Sequence, residues 1–148
     1  MTAKERALAM LDRRDYSRAE LLKKLTEKGE DETEAAAAVE RLAELGFVDD
    51  ARYAPIIVRH YAAKGYGPQR VRQELQRRGI PRELWDEAME QMPEQDDTVD
   101  RLLRSKLKSE SSDRAELKKA QDFLLRKGYG WEEIKSALSR YHASIEEE

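Results

Sequence analysis

Between Arg52 and Arg82 the chain sets eight cations, Arg52, Arg59, Lys64, Arg70, Arg72, Arg77, Arg78 and Arg82, against a single acid, Glu74. The window therefore carries +7, and the rest of the chain must carry −10 to reach the overall −3. Charge is segregated, which one global figure hides. Seven of the eight cations are arginine, whose planar fork matches carboxylate and phosphate bidentately. Two partner classes fit that chemistry: nucleic acid, or an acidic protein surface. A blander reading also exists, in which the arginines pair with Glu83, Asp86, Glu87 and Glu90 of the following helix. Exposed pairs of that kind contribute only ~0–1 kcal/mol. We take Arg52, Arg59, Lys64, Arg70, Arg72, Arg77 and Arg78 as candidate partner- or nucleic-acid-binding residues.

Catalytic chemistry has little to work with. An enzyme needs a nucleophile, a base or a metal. His60 and His142 are the only histidines, and they lie in different parts of the chain. No metalloprotease, phosphate-loop or nucleophile-elbow motif is present. "GYG" resembles a phosphate cradle superficially, but no strand precedes it, so helix punctuation accounts for it better. Asp49–Asp50 and Asp96–Asp97 are adjacent pairs, and adjacent residues do not face each other on a helix. They read as helix caps. Trp85 and Trp131 read as packing residues. The expectation is a binding protein, not an enzyme, with no cofactor and no metal.

The elements that must hold these residues are helices, arranged as a repeat. Gly29, Gly79 and Gly128 end "LTEKG", "LQRRG" and "LLRKG" at spacings of 50 and 49 residues. Four residues before each glycine stands Leu25, Leu75 or Leu124. Eight before stands Leu21, Val71 or Ala120. Ten after comes Val39, Met89 or Leu138, and thirteen after comes Leu42, Met92 or Tyr141. These intervals mark amphipathic helices. "KGYG" also occurs twice, at Lys64–Gly67 and Lys127–Gly130, but 63 residues apart and out of register with the repeat.

Each repeat reads as three helices, the first set at about 4–13, 18–28 and 31–44. Ser17 with Glu20 forms a capping box. Pro68 suits a first helical position, and Pro81 opens the third helix of the second repeat. On the inner face of the helix after Pro68, Val71 and Leu75 face the core. Arg70 and Arg77 share its outward face, and Glu74 is placed to pair with Arg70 or Arg78. Leu21, Leu25, Val39, Leu42, Val71, Leu75, Met89, Leu124, Ile134 and Leu138 are expected to be buried. Ser109–Arg114 reads as a mobile loop and Glu146–Glu148 as a fraying tail. The predicted fold is all-α: three tandem three-helix repeats in an elongated, curved array, divided at 1–48, 49–93 and 94–148.

Composition agrees. Hydrophobic residues are 39% and charged residues 40% of 148, which favours helices with broad solvated faces. Cysteine is absent, excluding disulfides and thiolate metal sites. No apolar stretch approaches the ~20 residues of a membrane span, and "MTAKERALAML" lacks a signal-peptide core. A cytoplasmic protein with no membrane partner is expected.

Four stretches carry a family resemblance: "DYSRAELLKKLTEKG" (Asp15–Gly29), "GFVDDARYA" (Gly46–Ala54), "KGYGPQRVRQELQRRGI" (Lys64–Ile80) and "DFLLRKGYGWEEI" (Asp122–Ile134). In order and spacing they resemble the RecX regulatory proteins, over nearly the whole chain. The resemblance implies a partner, the RecA recombinase filament, whose groove such proteins occupy. It implies inhibition of the recombinase ATPase, filament growth and strand exchange. It therefore implies modulation of DNA repair, homologous recombination and the SOS response. It also implies direct binding of single- or double-stranded DNA by some members, and no cofactor. The first repeat here lacks the long polar insertion some members carry before their third helix. The family motifs mark folding positions more than contact residues.

Two functions compete: an inhibitor of the recombinase filament, expected to act as a monomer, and a sequence-independent DNA-binding protein competing for single-stranded DNA. A DNA binder loses affinity steeply with salt, whereas a filament binder needs the recombinase. Acidic residues are not excluded from the surface as a whole, which favours the first.

Overall fold

Helix is what the local sequence dictates, and the computed structural model, which describes residues 1–107 and 113–146, consists over that range of helices joined by short loops. The helices are α1 (Ala3–Arg13), α2 (Arg18–Glu27), α3 (Glu32–Glu44), α4 (Asp50–Ala63), α5 (Pro68–Arg77), α6 (Trp85–Met89), α7 (Asp96–Lys106), α8 (Arg114–Arg126) and α9 (Trp131–Glu146). Among the described residues there is no strand. Most of Ser109–Arg114 and the last two residues lie outside the described residues, so the expectations of a mobile loop and a fraying tail fall there.

Start and stop signals act locally. Ser17 and Glu20 form the capping box at α2, each side chain taking the other residue's amide at 3.0 Å. Asp31 accepts from Thr33 and Glu34 at the start of α3, and Asp113 from Glu116 at the start of α8. Asp49 accepts from the Arg52 amide. Asp50 does something else: it is buried and accepts from the Arg18 amide at 2.9 Å, capping α2 instead of its own helix. Asp96 and Asp97 do not cap either. They occupy the first turn of α7, where the helix dipole favours negative charge, and Gln95 is the flanking residue. After Pro81 comes a 3-10 turn, Arg82–Leu84, and only the five residues of α6, shorter than the third helix expected there.

The repeat register is written in the burial. Leu21, Leu25, Val71, Leu75, Ala120 and Leu124 are fully buried, and Val39, Leu42 and Ile134 are buried as expected. Met89 and Leu138 are only half-buried. In those two repeats the centre of packing falls one residue earlier, on Ala88 and Ala137, both buried. A small side chain there lets the helix approach closely, and the larger neighbour is displaced to the rim. Trp131 is 50% exposed, so it is not the packing residue predicted; Trp85 is half-buried, its indole N–H donating to the Ile80 carbonyl at 2.9 Å.

Packing divides the chain into two compact units. The first comprises residues 1–58 and 74–91, the second 59–73 and 92–148. α4 and α5 thus contribute residues to both. In the first, α1, α2 and α3 enclose Ala7, Met10, Leu21, Leu25, Ala35, Val39, Leu42 and Val48. In the second, α7, α8 and α9 enclose Val99, Leu103, Leu107, Ala120, Leu124, Tyr129, Ile134 and Ala137. There Arg140 of α9 grips the Asp100 carboxylate of α7 at 2.8–3.0 Å.

Within each unit the same joint recurs. In the first, the Ser17 hydroxyl donates to the Arg78 carbonyl, and a Cβ on Gly79 would come within 2.5 Å of the Ala19 side chain. In the second, the Gly67 amide donates to the Lys127 carbonyl at 2.7 Å, and a Cβ on Gly128 would stand 2.5 Å from the Arg70 amide. Ser17 and Gly67 each lie twelve residues before a repeat glycine; Arg78 and Lys127 each lie one before the next. Gly79 and Gly128 have φ of 74° and 99°, left-handed values that glycine adopts without steric cost.

Candidate partner interface

The two "KGYG" segments meet in the second unit. Besides the Gly67 contact, the Gln69 amide donates to the Gly128 carbonyl at 3.0 Å, and the Tyr129 hydroxyl donates to the Gly65 carbonyl at 2.8 Å. Tyr129 is fully buried; burial, with the Glu133 charge adding, pushes its phenol up to about 12, so it remains a donor at any ordinary pH. A Cβ on Gly67 would lie 2.6 Å from the Gly128 carbonyl carbon. The duplication is therefore a clasp between two chain segments, not a repeat landmark.

The clasp positions charge. Lys64 is exposed, with its Nζ 5.6 Å from the Tyr61 ring centre. Arg70 is half-buried, not outward-facing as predicted, because its backbone forms the seat for Gly128 and its guanidinium lies 5.0 Å over Tyr66. Arg59 and Arg72 are exposed in the same unit.

Other candidates belong to the first unit. Arg52 is exposed. Arg77 is exposed but reaches the buried Glu74 carboxylate at 3.5 Å, a partner the sequence reading did not assign to it. Arg78 is held inward: Nη1 donates to the Tyr53 hydroxyl at 3.0 Å and stands 3.5 Å from Glu20. Burial and the Glu20 charge push the Tyr53 phenol up, keeping it neutral beside that guanidinium. Arg78 thus knits α2, α4 and α5 together within this unit. The stretch read as one basic cluster is divided between two packing environments.

Sequence reasoning passed over Lys106, Phe123 and Lys127, which join Tyr66 in the second unit through cation–ring contacts of 4.4–5.7 Å. The signal was available only in part. "KGYG" was visible twice, but nothing local says that segments 63 residues apart touch. Among the described residues no three His, Asp or Glu side chains gather as a metal-binding group. No described helix is long and apolar enough to cross a membrane.

Three family models match in order: the first RecX three-helix domain at residues 3–42, the second at 49–89 and the third at 94–138. The chain belongs to the RecX family. Its relatives include a protein named regulatory protein RecX from Stenotrophomonas maltophilia strain R551-3, 40% identical over 95% of this chain and 86% of the relative. Another of that name, from Vibrio campbellii, is 35% identical over 94% of this chain and 91% of the relative. The fold is similar to that of the crystal structure of RecX from Lactobacillus salivarius, with a TM-score of 0.83 at 22% identity over 93% of each chain. The three-repeat, all-α reading of the sequence is thereby established.

Proposed function

We propose that this RecX-family chain is a regulatory protein that binds the RecA–DNA filament and restrains it, lowering recombinase ATPase activity, filament growth and strand exchange. In the cell it would then temper recombination, DNA repair and the SOS response from the cytoplasm, acting as a monomer without cofactor or catalytic step. The observation that carries this reading is the ordered match of all three RecX domains across residues 3–138, with relatives named as regulatory proteins. The division into repeats at 1–48, 49–93 and 94–148 belongs to the same proposal. Exposed Arg52, Arg59, Lys64 and Arg72 supply charge suited to a filament of acidic protein and phosphate.

The test is RecA ATPase on single-stranded DNA with the protein titrated in. Dose-dependent loss of hydrolysis supports the proposal; unchanged hydrolysis at saturating protein overturns it. The competing reading, sequence-independent DNA binding that withholds the strand, is favoured by the concentration of cations in the middle of the chain. It predicts binding without recombinase and a steep loss of inhibition as salt rises.

A further inference from the structure

In the first unit, the start of α2, the end of α3, the start of α4 and the chain beyond α5 surround a cavity of about 560 Å³. Ala19, Ala43, Val48, Ala51, Pro81 and Leu84 give it apolar walls, and Asp49 and Asp50 line it as well. Asp50 is only 7% exposed. Its Oδ1 accepts the Arg18 amide at 2.9 Å, and among the described residues its Oδ2 has no hydrogen-bond or ion-pair partner. Arg18 is the one cation on the described lining, and its guanidinium pairs with Glu40 of α3 instead. A second hollow, of about 170 Å³, shares Ala51 and Leu84 with the first and is bordered by Glu87 and Glu90. Both glutamates are exposed. The sequence offered them as partners for the middle arginines, yet no ion pair recorded among the described residues engages either.

Capping α2 takes one oxygen, which a neutral asparagine would also supply. The carboxylate at this place is held against desolvation, and burial raises its carboxyl above the ordinary 3.8. A cation entering the cavity offsets that cost by pairing with the buried charge. The walls specify what the cation carries. A hydrated metal ion gains nothing from six apolar side chains, and among the described residues no three His, Asp or Glu side chains gather as a metal-binding group. An ammonium on a methylene chain matches both features, its charge meeting Asp50 and its hydrocarbon the walls. Carboxylates set along two adjoining hollows match several ammonium groups spaced along one such chain. The larger hollow is of the size that small-molecule sites have.

We propose that this cavity is a binding site for a linear aliphatic polyamine, with one ammonium on Asp50 and the chain directed toward Glu87 and Glu90. None of the arginines and lysines taken as partner-binding lines either hollow, so the site does not rest on the proposed regulatory function.

The experiment is isothermal titration calorimetry of the full chain with spermidine at low salt. Saturable binding to one site is expected. Asp50→Asn keeps an oxygen for the Arg18 amide, so the fold should survive, and thermal melts check this. The variant should bind spermidine roughly tenfold more weakly, the scale of one charge-assisted hydrogen bond. Glu87→Gln/Glu90→Gln alters exposed side chains only and should weaken binding severalfold. Glu32→Gln/Glu34→Gln, an exposed acidic pair elsewhere in the unit, should leave it unchanged. A parent that does not bind spermidine overturns the proposal, as does equal affinity for the parent and Asp50→Asn. Should Asp50→Asn melt far below the parent, the Glu87→Gln/Glu90→Gln pair decides, and unchanged affinity there overturns the proposal. An equal loss in the Glu32→Gln/Glu34→Gln control reduces the effect to general charge and overturns the site. Magnesium ion displacing spermidine at matched charge overturns it too, because attraction would then owe nothing to the apolar walls. Tetralysine binding where spermidine does not assigns the cavity to the lysine side chains of a partner protein, and the polyamine falls.

Discussion

Replacing Gly128 with alanine imposes two costs at once. The left-handed backbone penalises any Cβ by about 1–2 kcal/mol, and here the new atom would also strike the Arg70 backbone. Overpacking of that kind adds ~1–3 kcal/mol. Gly29 is the control: its φ is 96°, yet a Cβ there meets nothing within 4 Å. Gly29→Ala should therefore lose about 1–2 kcal/mol in a denaturant melt and Gly128→Ala clearly more. Equal losses would mean that the close approach at the clasp is unimportant. Asp50 makes a second prediction. Desolvation raises its carboxyl above the ordinary 3.8, against the opposing pull of the Arg18 amide. A raised carboxyl means the folded state holds the proton more tightly than the unfolded chain. The ionised group therefore costs stability above its folded pKa, and that cost disappears as pH falls through the folded value towards the unfolded one. Asparagine keeps an oxygen for Arg18 without the charge. Asp50→Asn should melt no lower than the parent at pH 7, and its relative advantage should vanish on acidification below about pH 4. A deficit at pH 7 that does not change with pH would contradict this account.

Elements meet through few polar contacts, so single deletions are informative. Tyr129 sits between the end of α8 and the start of α9, and its hydroxyl satisfies the Gly65 carbonyl just beyond α4. Tyr129→Phe preserves packing but leaves that buried acceptor without its donor, a loss of about 1–3 kcal/mol. Urea unfolding would measure it. A change within ~0.3 kcal/mol, the level at which independent sites usually add, would show that the clasp is held by its backbone contacts alone. The same element-level view explains why α6 is short. Left-handed Gly79 ends α5, and after Pro81 the chain spends a turn in 3-10 geometry before Trp85 is anchored on Ile80.

At the scale of the whole molecule, the proposed partner is a filament, and charge reversal is the direct probe. The choice of residues follows from their surroundings. Arg70 supports the clasp and Arg78 ties α2 to α4 and α5, so reversing either perturbs folding as well as recognition. Arg52 and Arg72 are exposed. Arg52→Glu with Arg72→Glu should leave the melting temperature almost unchanged, since exposed substitutions usually stay within ~0.5 kcal/mol. It should raise the concentration needed to inhibit RecA ATPase by roughly tenfold or more, about 1.4 kcal/mol. A variant that melts normally and inhibits like the parent would move recognition away from these arginines.

The sequence by itself determined the helical class, some of the caps and most of the apolar register. Those depend on intervals of three, four and seven residues and on glycine at fixed places, all visible in a local window. Leu25, Leu75 and Leu124 were therefore placed correctly, and so was the capping box at Ser17. It also displayed enough of four family stretches to indicate the family. Tertiary structure decided what each polar side chain is for. Nothing near Asp50 in the chain says that it caps α2, because Arg18 lies 32 residues away. Nothing near Lys127 says that it shares a ring with Arg70. Charge is counted along the chain, but its availability is decided by what packing brings beside it. That is why Arg78, alike on paper to Arg72, is drawn inward, and why the seated lysines at 106 and 127 emerge only once distant segments are brought together.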